Sequence, residues 1–135
     1  MDIDSYIQRI ISLGIAVDEV WLLGSRANRT ERKESDWDLF LFTDAAGLSC
    51  LTSNNYLKDD RVDLLVVYDG NNFEEPWPTI QAKAKSGNLR DWVWSRLSDD
   101  EAEYKTIKST PEWYKNNQAI ETKIFKARKL WPKQR

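Results

Sequence analysis

The chain reads EVWLLGS at residues 19–25 and SDWDLFLF at residues 35–42, and these two stretches decide its fold class. The first is an apolar run that breaks at a Gly-Ser pair, which predicts a buried strand at about 18–23 and a short helix at 25–32. The second predicts another strand at 37–42. A strand that turns into a helix beside a second strand indicates an α+β domain.

Three aspartates accompany the predicted strands. Asp36 and Asp38 stand two residues apart, so they share one face of the strand at 37–42. Asp63 is the one acid inside the apolar run VDLLVVY at 62–68, which predicts a third strand. If that strand pairs beside the second, the carboxylates converge. Three carboxylates can hold two divalent ions, Mg²⁺ or Mn²⁺, in the arrangement used for phosphoryl displacement.

The Gly-Ser break is a candidate phosphate site. Gly24 lets the backbone approach a ligand closely, and the Ser25 hydroxyl can donate to a phosphate oxygen. The predicted helix after it offers free N–H groups and the positive end of its dipole. Arg26 lies in the first turn and is a further phosphate candidate. We also assign Ser35, directly before the acid pair, to nucleotide binding.

The order of these motifs resembles the polymerase-beta-like nucleotidyltransferase superfamily, especially its small, stand-alone minimal nucleotidyltransferases. The resemblance covers about 19–68 and includes the connection at 43–60. It implies the nucleotidyltransferase fold, the three aspartates as catalytic metal ligands, and Gly24 and Ser25 as triphosphate ligands. Family members often carry a small residue, commonly glycine, where this chain has residues 28–30, Asn-Arg-Thr.

Composition bounds the remaining choices. A chain of 135 residues with 41% hydrophobic and 31% charged residues predicts one globular domain over 1–135. The absence of histidine excludes Ser-His-Asp triads and Cys/His zinc sites. Cys50 is the single cysteine, no apolar run approaches membrane-spanning length, and the N-terminus lacks a signal-peptide pattern, so we expect a cytoplasmic protein that does not contact a membrane.

The Trp-rich second half, residues 76–135, carries weaker signals. A stripe of apolar residues with helical spacing predicts a long C-terminal helix from Thr110 to Trp131. A helix is also predicted for residues 99–104. Residues 80–85 fit a strand or a helix. Trp92 and Trp94 are candidates for stacking on a base or unpaired nucleic acid, with core packing as the alternative.

The expected architecture is therefore a small mixed β-sheet with flanking helices and a long C-terminal helix. The expected function is transfer of a nucleoside monophosphate from an NTP, with ATP as the expected donor, to a hydroxyl acceptor. Residues 123–135 carry six basic groups and no acid, which suits a nucleic acid or acidic partner as well as a helix end. Two alternatives stay open: an antitoxin-like or regulatory protein that binds a protein partner or itself, and a non-catalytic nucleic-acid-binding module.

Overall fold

A computed structural model describes residues 1–78, 85–108 and 121–133. Within them, eight strands form one curled, half-barrel sheet: β1 (Glu19–Leu23), β2 (Trp37–Phe42), β3 (Val62–Tyr68), β4 (Asn72–Glu74), β5 (Ser86–Asn88), β6 (Ser95–Arg96), β7 (Glu101–Lys108) and β8 (Glu121–Trp131). Three short helices accompany the sheet in the same residues: α1 (Ile3–Ile11), α2 (Gly24–Ala27) and α3 (Ala45–Ser53). The strand order is β5-β4-β3-β2-β1-β8-β7-β6.

The three central strands were predicted within one residue of their bounds. β2 and β3 run parallel, joined by a crossover through α3 and a 3₁₀ turn at Asn55–Leu57. The other described pairs are antiparallel, including β1 with β2. The predicted pairing of the Asp36/Asp38 strand beside the Asp63 strand is therefore found.

Alternation along the central strands separates two apolar cores. Leu22, Leu39 and Leu64 face the layer that contains α1 and α3. Their neighbours Trp21 and Phe40 face the opposite side, where a second core is built largely from aromatic rings. Fully burying a Leu or Phe side chain contributes about 1.5–3 kcal/mol, so a register slip of one residue would be strongly disfavoured.

The predicted long C-terminal helix is wrong for residues 121–131, which form β8; residues 109–120 lie outside the described part. Phe125 and Ala127 pack in the second core, whereas Lys126 and Arg128 between and beyond them are exposed. This period of two is that of a strand. Pairing with β1 on one side and β7 on the other overrides the helical spacing.

The expected small sheet is wrong for the same reason: β7 and β8 extend it beyond β1. Residues 99–104, expected to be helical, enter β7, where Ala102 and Tyr104 are buried and Glu101 is exposed. Of the uncertain stretch at 80–85, only Lys85 falls within the described residues.

Candidate active site

Three neighbouring strands bring one row of side chains to the end of the second core. In the strand register, Leu23 on β1 is the partner of Asp38 on β2, and Asp38 is the partner of Asp63 on β3. Both acids lie on the aromatic face of the sheet, two residues before Phe40 and Leu65. The two carboxylates therefore stand side by side, as predicted from the sequence.

The two carboxylates of the acid pair repel each other. Burial, followed by the charges of Asp63 and Asp36, raises the pKa of Asp38 to about 6, against a weaker opposing effect of Lys85. The Lys85 ammonium lies 3.2 Å from Asp63 Oδ2, and this pair raises the pKa of Lys85. Lys85 thus pairs with Asp63, and Asp38 is the carboxylate whose charge a further cation would stabilise most.

Asp36 is not assembled with the other two acids. It lies exposed in the loop before β2 and contributes to the site through its charge on Asp38. No three acidic, histidine or cysteine side chains within residues 1–78, 85–108 and 121–133 are grouped tightly enough to hold a metal. Asp38 and Asp63 are adjacent carboxylates that repel each other, and their oxygen atoms are nevertheless the kind of ligand that a hard divalent cation prefers.

Gly24 lies directly against Asp38 of this acid pair. Its φ is +68°, in the left-handed region, and a Cβ placed on it would lie 2.1 Å from Asp38 Oδ2. Such a distance is far inside van der Waals contact, so a side chain here would displace the carboxylate. The sequence identified Gly24 as a point of close backbone approach, and the described neighbour that requires it is Asp38.

The helix after Gly24 is shorter than predicted. α2 has four residues rather than the span 25–32, and it begins after Leu23 without a side-chain cap. A single turn aligns few peptide dipoles, so the dipole contributes little to any anion site here. What the turn offers to a ligand is close approach at Gly24, which has no side chain, and the Ser25 hydroxyl; both residues line the same cavity.

Arg26 and Ser35 are placed in the loop that follows. The Arg26 guanidinium donates to the Ser35 carbonyl oxygen at 2.9 and 3.2 Å and lies 4.1 Å from the centroid of the Trp37 ring. The Ser35 hydroxyl accepts from the Arg32 N–H at 2.8 Å. These contacts hold the loop between α2 and β2 together, and the role of both residues in nucleotide binding remains a prediction.

A cavity of about 420 Å³ joins these parts. Its polar rim is formed by Gly24, Ser25, Asn28, Thr30, Asp38 and Asp63. Its apolar wall is formed by Leu23, Leu39, Leu65, Trp92, Tyr104 and Phe125. The volume lies within the range of small-molecule sites, and a mainly apolar wall with a few convergent polar groups is typical of them.

Several of these residues were missed by reasoning from sequence. The Gly24 N–H donates to the Tyr104 hydroxyl at 3.2 Å, and burial raises the pKa of Tyr104. The Asn28 amide donates to the carbonyl oxygens of Gly24 and Lys126, and its own oxygen accepts from the Lys126 N–H. Asn28 therefore ties α2 to β8. No local signal in the sequence marks these roles, because they depend on the pairing of β8 with β1 and of β7 with β8.

Comparisons with protein-family models, with curated proteins and with solved structures found no match to this chain. In the described part of the chain, no helix is both long enough and apolar enough to cross a membrane.

Proposed function

We propose that this protein is a Mg²⁺-dependent nucleotidyltransferase that moves a nucleoside monophosphate from an NTP to a hydroxyl acceptor. One observation carries the proposal: the Gly24 turn, the Asp38/Asp63 pair and the cavity meet at one point. The 2.1 Å approach of a Gly24 Cβ to Asp38 Oδ2 measures how closely the turn and the acids adjoin. The motif resemblance to the polymerase-beta-like superfamily supports the same reaction and is part of the proposal.

In this proposal the NTP lies with its terminal phosphates at Gly24 and Ser25, whose hydroxyl donates to a phosphate oxygen. The acceptor oxygen forms a bond to the α-phosphorus, and the bond from that phosphorus to the pyrophosphate oxygen breaks. The products are the acceptor phosphodiester and pyrophosphate. Asp63 orients the acceptor hydroxyl and takes its proton, directly or through water.

Asp38 and Asp63 would hold the divalent ion, with Asp36 adding charge at the loop. When bound, the ion supplies charge neutralisation and polarises the phosphoryl oxygens. Lys85 forms an ion pair with Asp63 and would supply a positive charge near the transferred phosphate. The natural setting is the cytoplasm, where NTPs, Mg²⁺ and a reduced Cys50 coexist.

The test is mass spectrometry of acceptor candidates after incubation with each NTP and Mg²⁺. Small metabolites, RNA and purified partner proteins are tried separately. Wild-type protein is expected to add one nucleoside monophosphate to one of these classes. Asp63→Asn should lower transfer by about 10²-fold or more. Asp60→Asn, at an exposed acid three residues away, is the matched control and should retain activity.

A different outcome would redirect the function. If the protein binds RNA in a salt-dependent manner and transfers nothing, it is a nucleic-acid-binding module. If it transfers nothing and instead forms a stable complex with a protein partner, it is the antitoxin-like or regulatory protein of the first alternative. Either result contradicts the transferase.

A further inference from the structure

The cavity beside the acid pair has an aromatic wall that the proposed chemistry does not use. Trp92, Tyr104 and Phe125 come from the loop before β6, from β7 and from β8, so three distant segments converge there. Trp92 and Tyr104 have centroids 5.6 Å apart with planes 26° from parallel. Tyr104 and Phe125 are 5.5 Å apart with planes 22° from parallel. The three rings therefore form an offset stack along one wall of an open cavity.

The same wall adjoins the proposed phosphate site. The Tyr104 hydroxyl accepts from the Gly24 N–H at 3.2 Å, so the middle ring of the stack touches the turn assigned to the phosphates. A ligand that is held at the Gly24–Ser25 turn and extends along the cavity would meet the aromatic wall. The two surfaces are thus continuous parts of one cavity.

The charges in the cavity decide which part of a ligand fits this wall. Its charged lining residues, Asp38 and Asp63, are both acidic, and none of its lining residues is a cation. A phosphate moved against the apolar wall would lose its hydration without a compensating charge, so that wall suits a neutral, flat group. A volume of about 420 Å³ is sufficient for a nucleoside portion.

We infer that the aromatic wall forms the nucleobase site, on which the base of the donor triphosphate stacks against Trp92 or Phe125, while the buried Tyr104 between them holds these two rings in place. Stacking needs only a flat π-face, so it tolerates all four bases. The inference rests on the proposed function, which supplies the triphosphate, and it assigns the base-binding residues within that site.

The neighbouring Trp94 supplies a contrast. It packs at 5.3 Å edge-to-face against the buried Trp21 and at 5.7 Å against Phe40, and it does not line the cavity. Trp92 also packs in the second core, 5.4 Å from Phe40, but unlike Trp94 it lines the cavity and can contact a ligand there. Sequence alone treated the two tryptophans as equivalent.

Calorimetric titrations with Mg²⁺-ATP and with Mg²⁺-tripolyphosphate separate the base from the phosphates. Wild-type protein is expected to bind ATP more tightly than tripolyphosphate. Trp92→Leu and Phe125→Leu should each weaken ATP binding by about 5- to 50-fold and leave tripolyphosphate binding unchanged. Phe42→Leu, at a partly buried ring on the same sheet face but outside the cavity, is the matched control and should change neither affinity.

A gentler variant guards against misfolding. In the wild type, ATP should quench tryptophan fluorescence, whereas tripolyphosphate should not. Trp92→Phe should lose most of that quenching. It should retain ATP affinity within about threefold, because a phenyl ring still stacks. Equal wild-type affinities for ATP and tripolyphosphate would overturn the base site and leave the phosphate site standing. Failure to bind either ligand would overturn the proposed function itself.

Discussion

Replacing Gly24 with alanine tests the contact that joins the turn to the acid pair. The substitution has two separable costs. The first is conformational, because a non-glycine residue at φ +68° costs about 1–2 kcal/mol. The second is steric, because the new Cβ would lie 2.1 Å from Asp38 Oδ2 and the carboxylate must move to a poorer position. Overpacking of this kind costs about 1–3 kcal/mol, so we expect a total loss of about 2–5 kcal/mol in the free energy of unfolding.

Two other glycines measure the conformational cost alone. Gly14 and Gly70 have φ of +78° and +84°, and a Cβ on either would meet nothing within 4 Å. Gly14→Ala and Gly70→Ala should therefore each cost about 1–2 kcal/mol. The difference between these controls and Gly24→Ala is the steric term.

A double-mutant cycle with Asp38→Ala assigns that term to one contact. Once the carboxylate is absent, Gly24→Ala should cost no more than the two control substitutions, so the coupling energy equals the steric term of about 1–3 kcal/mol. Urea denaturation monitored by circular dichroism supplies the four free energies. A Gly24→Ala cost equal to that of Gly14→Ala in the wild-type background would refute the predicted contact. An unchanged cost in the Asp38→Ala background would refute the assignment to Asp38.

Three further predictions concern the same region. Burial and the neighbouring acids raise the pKa of Asp38 from its ordinary value of 3.8 to about 6 in the folded protein, so the folded state binds more protons than the unfolded chain and stability falls as pH rises between these two values. In EDTA, Asp38→Asn should have little effect on stability at pH 4 and raise it by roughly 1–2 kcal/mol at pH 7, after allowance for solvent screening; pH-dependent urea melts that show no such divergence would contradict this. Arg29 is exposed and has a φ of +58°, a left-handed conformation that strains any residue but glycine, so Arg29→Gly should stabilise the protein by about 0.5–1 kcal/mol, and a lower urea midpoint would disprove the strain. Mg²⁺ should raise the melting temperature, more so with ATP present, and the combined Asp36→Asn and Asp38→Asn substitutions should abolish that shift; a full shift in the double variant would place the ion elsewhere.

The central strands were predictable because their signals are local. An apolar run broken by Gly24, and single acids within apolar runs, define β1, β2 and β3 and place Asp38 beside Asp63. The parallel pairing followed from a connection long enough for a crossover. This part of the site depends on strand alternation, which is a property of the sequence itself.

The C-terminal half was not predictable in the same way. Residues 121–131 carry both a helical stripe and a period-two pattern, and the choice between them depends on β1 and β7, which are distant in sequence. Tyr104 and Phe125 reach the cavity only through that pairing. The aromatic wall therefore became visible with the fold, whereas the acids were visible without it.

The central claim, nucleotidyl transfer at the Asp38/Asp63 pair, is tested most directly by following two labels. The protein is incubated with Mg²⁺ and ATP labelled at either the α- or the γ-phosphate, together with a nucleotide-depleted cell extract that supplies acceptors. The account predicts that the α-label becomes attached to an acceptor, that the γ-label leaves as pyrophosphate, and that Asp63→Asn loses the transfer whereas Asp60→Asn retains it. Attachment of the γ-label, absence of any α-label transfer by the wild type, or equal α-label transfer by Asp63→Asn would contradict it.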